Sequence, residues 1–261
     1  MGLRDPISSS SHLLFGLWTI YALLLLLRLS SSSWERRVAV VIYGSSMALL
    51  YFASGTFHGV PFTKSENPLA FRLFQRIDQS AIFTLIAGTN TPLIVTFLRG
   101  RRRRICLQGM WGLAFAGVAS LWLLPSPPHA LIVLICVAMG WLGLVPMTHY
   151  YRAVGWRAMN WVWAGAILYT LGAVCELAEW PRLSNAPLTF GFHEIFHLLS
   201  AAASVAFFLF IAWHVIPYRP ADEMGDDGNA SGCCNDRFTA PNGPLYGAAN
   251  ATFRQKSLTC Q

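Results

Sequence analysis

GFHEIFHLLSAAASVAFFLFIAWHVIP, residues 191–217, holds one carboxylate, Glu194, and no lysine or arginine. Crossing a hydrocarbon core as a helix takes roughly 17–25 mostly apolar residues, and the run 192–216 meets that length. The same run opens with His193 and His197, four residues apart. Positions i and i+4 share one face of a helix, so both imidazoles can address one metal ion. Ionisable side chains are expensive at membrane depth and usually mark a functional site there.

Working outward, six more stretches have the same character: 13–29, 38–58, 78–98, 105–124, 129–147 and 159–178. The chain is 54% hydrophobic and 12% charged, against about 25% charged in soluble domains. The fold class expected is all-α, an integral membrane bundle of seven transmembrane helices, in which each helix satisfies its own backbone hydrogen bonds. Residues 12–217 form this domain, preceded by a short segment, 1–11. Beyond Pro217 the chain turns to Gly, Asn, Asp, Ala and Pro, so 218–261 is expected to be a disordered tail. The first stretch reads as a retained span, because Asp5 and Pro6 suit a signal peptide poorly and Ser30 to Ser33 offer no small-x-small cleavage site.

The net charge of +7 is a topology signal and not a nucleic-acid footprint. With seven spans, five basic residues (Arg4, Lys64, Arg72, Arg76, Arg182) fall on one side and eleven on the other, including the arginine run 101–104. The positive-inside rule then puts the C-terminus in the cytoplasm and the N-terminus outside, in a cell membrane. The arginine run itself suits anionic headgroups. Cysteines give no framework: Cys106, Cys136 and Cys175 are scattered in apolar stretches, and Cys233, Cys234 and Cys260 lack ligand spacing.

Counting spans brings distant residues to one layer. His58 ends the second span, Asp78 opens the third and His193 opens the seventh, so all lie on the side of the N-terminus. His58, His193 and His197 supply three imidazoles, the ligand count of a catalytic Zn2+ site with one open position. Asp78 is expected to orient an attacking water or take its proton. Ser54, one turn from His58, is expected to support it by hydrogen bonding. Each residue alone has a plainer reading: His58 as an interhelical hydrogen-bonder, Ser54 as a small packing residue, Asp78 as the N-cap of its helix. It is their convergence that points to metal. His12 and His214 sit at segment ends within reach of headgroups, His129 follows a proline turn, and His149 belongs to an interfacial aromatic belt. None has a partner at ligand spacing.

Residues 76–92 (RIDQSAIFTLIAGTNTP) resemble the third span of the hemolysin III family, the bacterial branch related to the progestin and adipoQ receptors. Ser54-x-x-x-His58, Met139-Gly140-Trp141, Tyr169-Thr170-Leu171-Gly172 and residues 191–198 resemble its second, fifth, sixth and seventh spans. The resemblance covers about residues 10–217. It implies a seven-helix fold with zinc on His58, His193 and His197, with Asp78 reaching the metal through water and Ser54 nearby. The wider superfamily includes alkaline ceramidases, which implies hydrolysis of a membrane lipid amide; the hemolysin name implies a lytic activity in the namesake. Two positions depart from the pattern: Asn90 stands where a Tyr is typical, and Gln79 where a His is usual. Better-known members hold the zinc layer toward the cytosol, opposite to the side this chain's arginines favour.

The leading expectation is thus a zinc-dependent hydrolase acting on a membrane lipid. A lytic or receptor-type protein with a structural zinc is the alternative. His193-Glu194-x-x-His197 also matches a zinc-protease signature with glutamate as base. Its third ligand would have to come from far upstream, which ranks that reading last.

Overall fold

In the computed structural model, residues 3–30, 33–125, 127–181 and 191–219 are described. The chain divides after Tyr218, and the expected tail from 220 onward lies outside the described residues, as does Arg182. Among the described residues seven helices follow one another: α1 (Pro6–Leu29), α2 (Trp34–Gly59), α3 (Pro68–Phe97), α4 (Gly100–Leu123), α5 (His129–Leu142), α6 (Met147–Ala178) and α7 (Phe192–Phe210), which ends in a π-helical turn (Ile211–Val215). There is no strand among the described residues, so the class is all-α.

Six of these helices are long and apolar enough to cross a membrane. The protein is an integral membrane helical bundle. Its outward faces carry Leu14, Leu17, Phe115, Leu123 and Leu198, a surface suited to lipid tails. Inside, Tyr43, Met47, Tyr51, Tyr150 and Phe210 are fully buried.

α1, α2 and α4 begin at Pro6, Trp34 and Gly100, each ahead of the expected run, so that α1 takes in residues 6–11 of the expected segment 1–11; three further differences bear on the site and its surroundings. α3 starts at Pro68, where Asn67 Oδ1 accepts the Ala70 amide at 3.1 Å and proline suits the first helical position. Asp78 therefore lies well inside the helix and is not its N-cap. α5 has 14 residues, about 21 Å at 1.5 Å per residue, and falls short of the expected span 129–147. Its end tightens into short-range turns, with the Leu144 and Val145 amides each 3.0 Å from the carbonyl three residues back, ahead of Pro146. Gly143 permits this turn to press on α3, since a Cβ there would overlap the Asn90 side chain. α6 begins early, at Met147, but breaks at Gly155 (φ 78°, ψ 172°), a backbone conformation that favours glycine. The stretch after that break corresponds to the expected span.

Consecutive helices pack side by side, α1 on α2, α2 on α3, α3 on α4 and α6 on α7, and α7 returns to α1 to close the ring. Lipid removes the hydrophobic drive between helices, so close backbone approach and interhelical hydrogen bonds hold them. Gly55 lets α2 meet Leu13 of α1, and Ser204 of α7 bonds both Tyr51 and Tyr169 at 2.8 Å. One end of the bundle gathers Arg36 against the Tyr218 carbonyl (2.6 Å), Arg103 against Glu35 (2.8 Å) and Arg102 against His149 (2.8 Å). The opposite end gathers the N-terminal segment, the end of α2 and the start of α7.

Candidate metal centre

At that opposite end the three histidines meet. His58 comes from the last turn of α2, and His193 and His197 from the first two turns of α7. Their potential ligand atoms lie within 4.8 Å of one another. The Nε2 atoms of His58 and His193 are 3.2 Å apart. Two nitrogens bound tetrahedrally to one zinc at 2.0–2.1 Å stand about 3.3 Å apart, so this pair is already at ligand spacing. The other nitrogen of each ring is engaged: His58 Nδ1 donates to Asp5 Oδ2 at 3.0 Å, and His193 Nδ1 donates to Glu176 Oε2 at 2.9 Å. A carboxylate only accepts, so both Nδ1 atoms carry protons and both Nε2 lone pairs face each other. Opposed lone pairs call for a cation between them. A doubly protonated ring would meet the need for one pair, but the third imidazole, buried His197, turns the pair into a ligand set. The cluster could hold a metal ion.

Ser54 and Asp78 arrive beside it as the spacing implied. Ser54 is buried one turn before His58, and the Asp78 carboxyl lies beside it. Both line a cavity of about 260 Å³ that His193 and His197 also border. The cavity runs along α3 from Asp78 to Leu93 and along α6 from Glu176 to Val162. At 1.5 Å per residue, both paths are roughly 20 Å long. The titratable groups crowd one end; Leu93, Trp141, Leu144, Val162 and Phe207 line the rest.

Glu194 is differently occupied. Its Oε2 accepts the Gly191 amide at 2.9 Å, capping α7, and its Oε1 accepts from Ser8 at 3.1 Å. Both carboxylate oxygens serve the joint between α7 and the N-terminal segment, which removes the support for a protease-like base at this position.

Four residues enter the site that spacing alone does not reveal. His12, expected near headgroups, is instead buried, its ring stacked on His197 with centroids 3.9 Å apart. Neither of its ring nitrogens has a hydrogen-bond partner among the described residues. The tight α1–α2 contact carries it there: Ser9 donates to the Gly55 carbonyl at 2.8 Å, and Gly16 abuts Phe52. His129, taken as a turn residue, lies 3.4 Å from Glu176 Oε1. Glu176 thus joins His129 and His193. Asp5 is the fourth, held over the end of α2 by its own amide on the His58 carbonyl (3.0 Å). Arg4 lies beside it at 3.0 Å, its guanidinium over the Phe57 and Phe71 rings. The His58 hydrogen bond, backed by Arg4, holds the Asp5 carboxyl below the usual carboxylate range.

Comparison with known proteins gives the arrangement its lineage. The family model described as haemolysin-III related matches residues 3–208. This chain belongs to that family. Hemolysin-3 of Bacillus cereus is 33% identical over 180 residues, 69% of this chain and 76% of that protein. The hemolysin-3 homolog of Bacillus subtilis (strain 168) is 27% identical over 185 residues, 71% of this chain and 80% of that protein. The human monocyte to macrophage differentiation factor is 25% identical over 200 residues, 77% and 79% of the two chains. These likenesses agree with a hemolysin III protein related to the progestin and adipoQ receptors. Within this haemolysin-III-related chain, the two departures in the third span, Gln79 and Asn90, both line the cavity. They therefore sit where they contact whatever fills it.

Proposed function

We propose that the protein is a zinc-dependent hydrolase of the cell membrane, cleaving an amide bond in a membrane lipid. The observation that carries this reading is the cavity: a long, mainly apolar slot bordered at one end by His193 and His197 of the three-histidine cluster, with Asp78 and Ser54 beside them. Such a slot suits a single hydrocarbon chain, with the polar end of the lipid at the histidines. The donor set is three imidazoles, the ligand count of a catalytic zinc site, and His193 and His197 also border the cavity. Bound there, zinc polarises a carbonyl and lowers the pKa of a coordinated water toward about 7.

The remaining work falls to the chain. Asp78 accepts the proton of the attacking water and returns it to the leaving amine. Ser54, beside it in the cavity lining, offers a hydroxyl that can steady the carboxylate as it takes the proton. The apolar walls of α3, α5 and α6 exclude bulk water and seat the acyl chain, so that chain length sets the position of the bond relative to the metal. The test is direct: purified protein in lipid, given an N-acylated sphingoid lipid, should release fatty acid, lose the activity to a zinc chelator and regain it with added zinc. No release, or release indifferent to chelator, would overturn the proposal.

A lytic role has one observation in its favour, the likeness to a protein named hemolysin-3. Lysis of erythrocytes by the purified protein that persists in Asp78→Asn would favour it over lipid hydrolysis.

A further inference from the structure

We infer that Asp5 and Glu176 are positioning residues of the metal centre, a matched pair of outer carboxylates that fix the tautomer and aim of His58 and His193. This rests on the zinc reading above. It assigns work to two acidic residues that the ligand set does not include, one ahead of the first span and one near the end of the sixth.

The two contacts are alike in chemistry and unlike in origin. Each carboxylate meets the Nδ1 of one imidazole, at 3.0 Å for Asp5 and 2.9 Å for Glu176, and each leaves that ring's Nε2 pointing inward. The Nε2 atoms come to 3.2 Å from one another only because both rings are held from behind. Such a partner raises the basicity of the ligating nitrogen and selects its tautomer. His197 has no such partner among the described residues: its Nδ1 is unpaired and its ring is held by stacking on His12. Two rings are set by charge-assisted hydrogen bonds and one by packing.

Charge balance points the same way. A Zn2+ on three neutral imidazoles carries two positive charges into a layer where uncompensated charge is expensive. Asp5 and Glu176 supply two negative charges one ring away, leaving Asp78 for the proton. Both carboxylates are themselves anchored, Asp5 by Arg4 and Glu176 by a second contact to His129. The N-terminal segment is therefore part of the site, and α6 joins it without contributing a ligand.

The test uses the full-length protein in detergent or lipid, with zinc affinity read by chelator competition and histidine tautomers read by 15N NMR of the zinc-loaded form. Asp5→Ala and Glu176→Ala should each weaken zinc binding roughly 10–100-fold. Asp5→Asn and Glu176→Gln keep an oxygen that can accept from Nδ1 and should recover part of the loss. In the wild type, two histidines should show Nδ1–H with Nε2 on zinc. Unchanged affinity in both alanine variants overturns the assignment, as does an equal loss in Ser9→Ala, which removes an α1–α2 hydrogen bond and no imidazole partner. A wild type that takes up no zinc overturns the metal reading itself, and this inference with it. Zinc binding that is intact and indifferent to Asp5 and Glu176 overturns only the inference.

Discussion

Asp78 and Glu194 are carboxylates in the same layer, and their surroundings give them different work. Asp78 meets Ser54 at the polar end of the cavity, whereas Glu194 spends both oxygens on Gly191 and Ser8. Asp78→Asn should keep the metal and lower hydrolysis by roughly 100-fold or more, since a general base contributes about 10²–10⁴. Glu194→Gln should keep hydrolysis and leave the start of α7 in place, since a glutamine oxygen still accepts the Gly191 amide. Activity assays on the two variants side by side check this; a dead Glu194→Gln with a live Asp78→Asn would reverse the roles. His193 and His197 are legible in the sequence because a helix converts a spacing of four into a shared face. Asp5, His12, His129 and Glu176 are not, because only tertiary packing brings them in. A signal existed for one of them: Glu176 interrupts an otherwise apolar run, where a charged side chain needs a reason.

At the level of elements, the apolar runs locate seven helices among the described residues but misplace several of their boundaries, mostly at the starts. Hydropathy stops at Ile77 because Arg72 and Arg76 follow the membrane edge, yet Asn67-Pro68 is an ordinary helix start and the backbone does not break between them. The consequence reaches the site, for it sets Asp78 inside a rigid helix instead of at a fraying end. α5 is shortened by a turn whose pressure on α3 needs Gly143, a contact that no pattern within one segment contains. Gly155 is the clearest local device: its φ of 78° separates the first part of α6 from the membrane-crossing part. Gly155→Ala should destabilise the bundle by about 1–2 kcal/mol, the cost of a left-handed backbone for an L-residue. A thermal unfolding midpoint in detergent should fall; an unchanged or higher midpoint would contradict the break.

For the molecule as a whole, the sequence divides its basic residues unequally between the two sides of a seven-span chain. Eleven basic residues against five favour a cytoplasmic location for the 101–104 arginines and the C-terminus, with the metal layer outside. The family resemblance implies the opposite side. A reporter active only in the cytoplasm, fused after Pro217, should be active, and replacing Arg101, Arg102, Arg103 and Arg104 by Gln should mix or invert the topology. Activity of an outside-only reporter would place the metal layer toward the cytosol. Sidedness and substrate alike depend on α2 and α7 meeting so that His58, His193 and His197 present three imidazoles to one ion. Metal analysis of the purified protein measures it most directly. One zinc per chain is expected in the wild type and in Asp78→Asn, with zinc lost from His58→Ala and His193→Ala; a wild type holding less than half a zinc per chain, or either alanine variant holding a full one, would contradict the account.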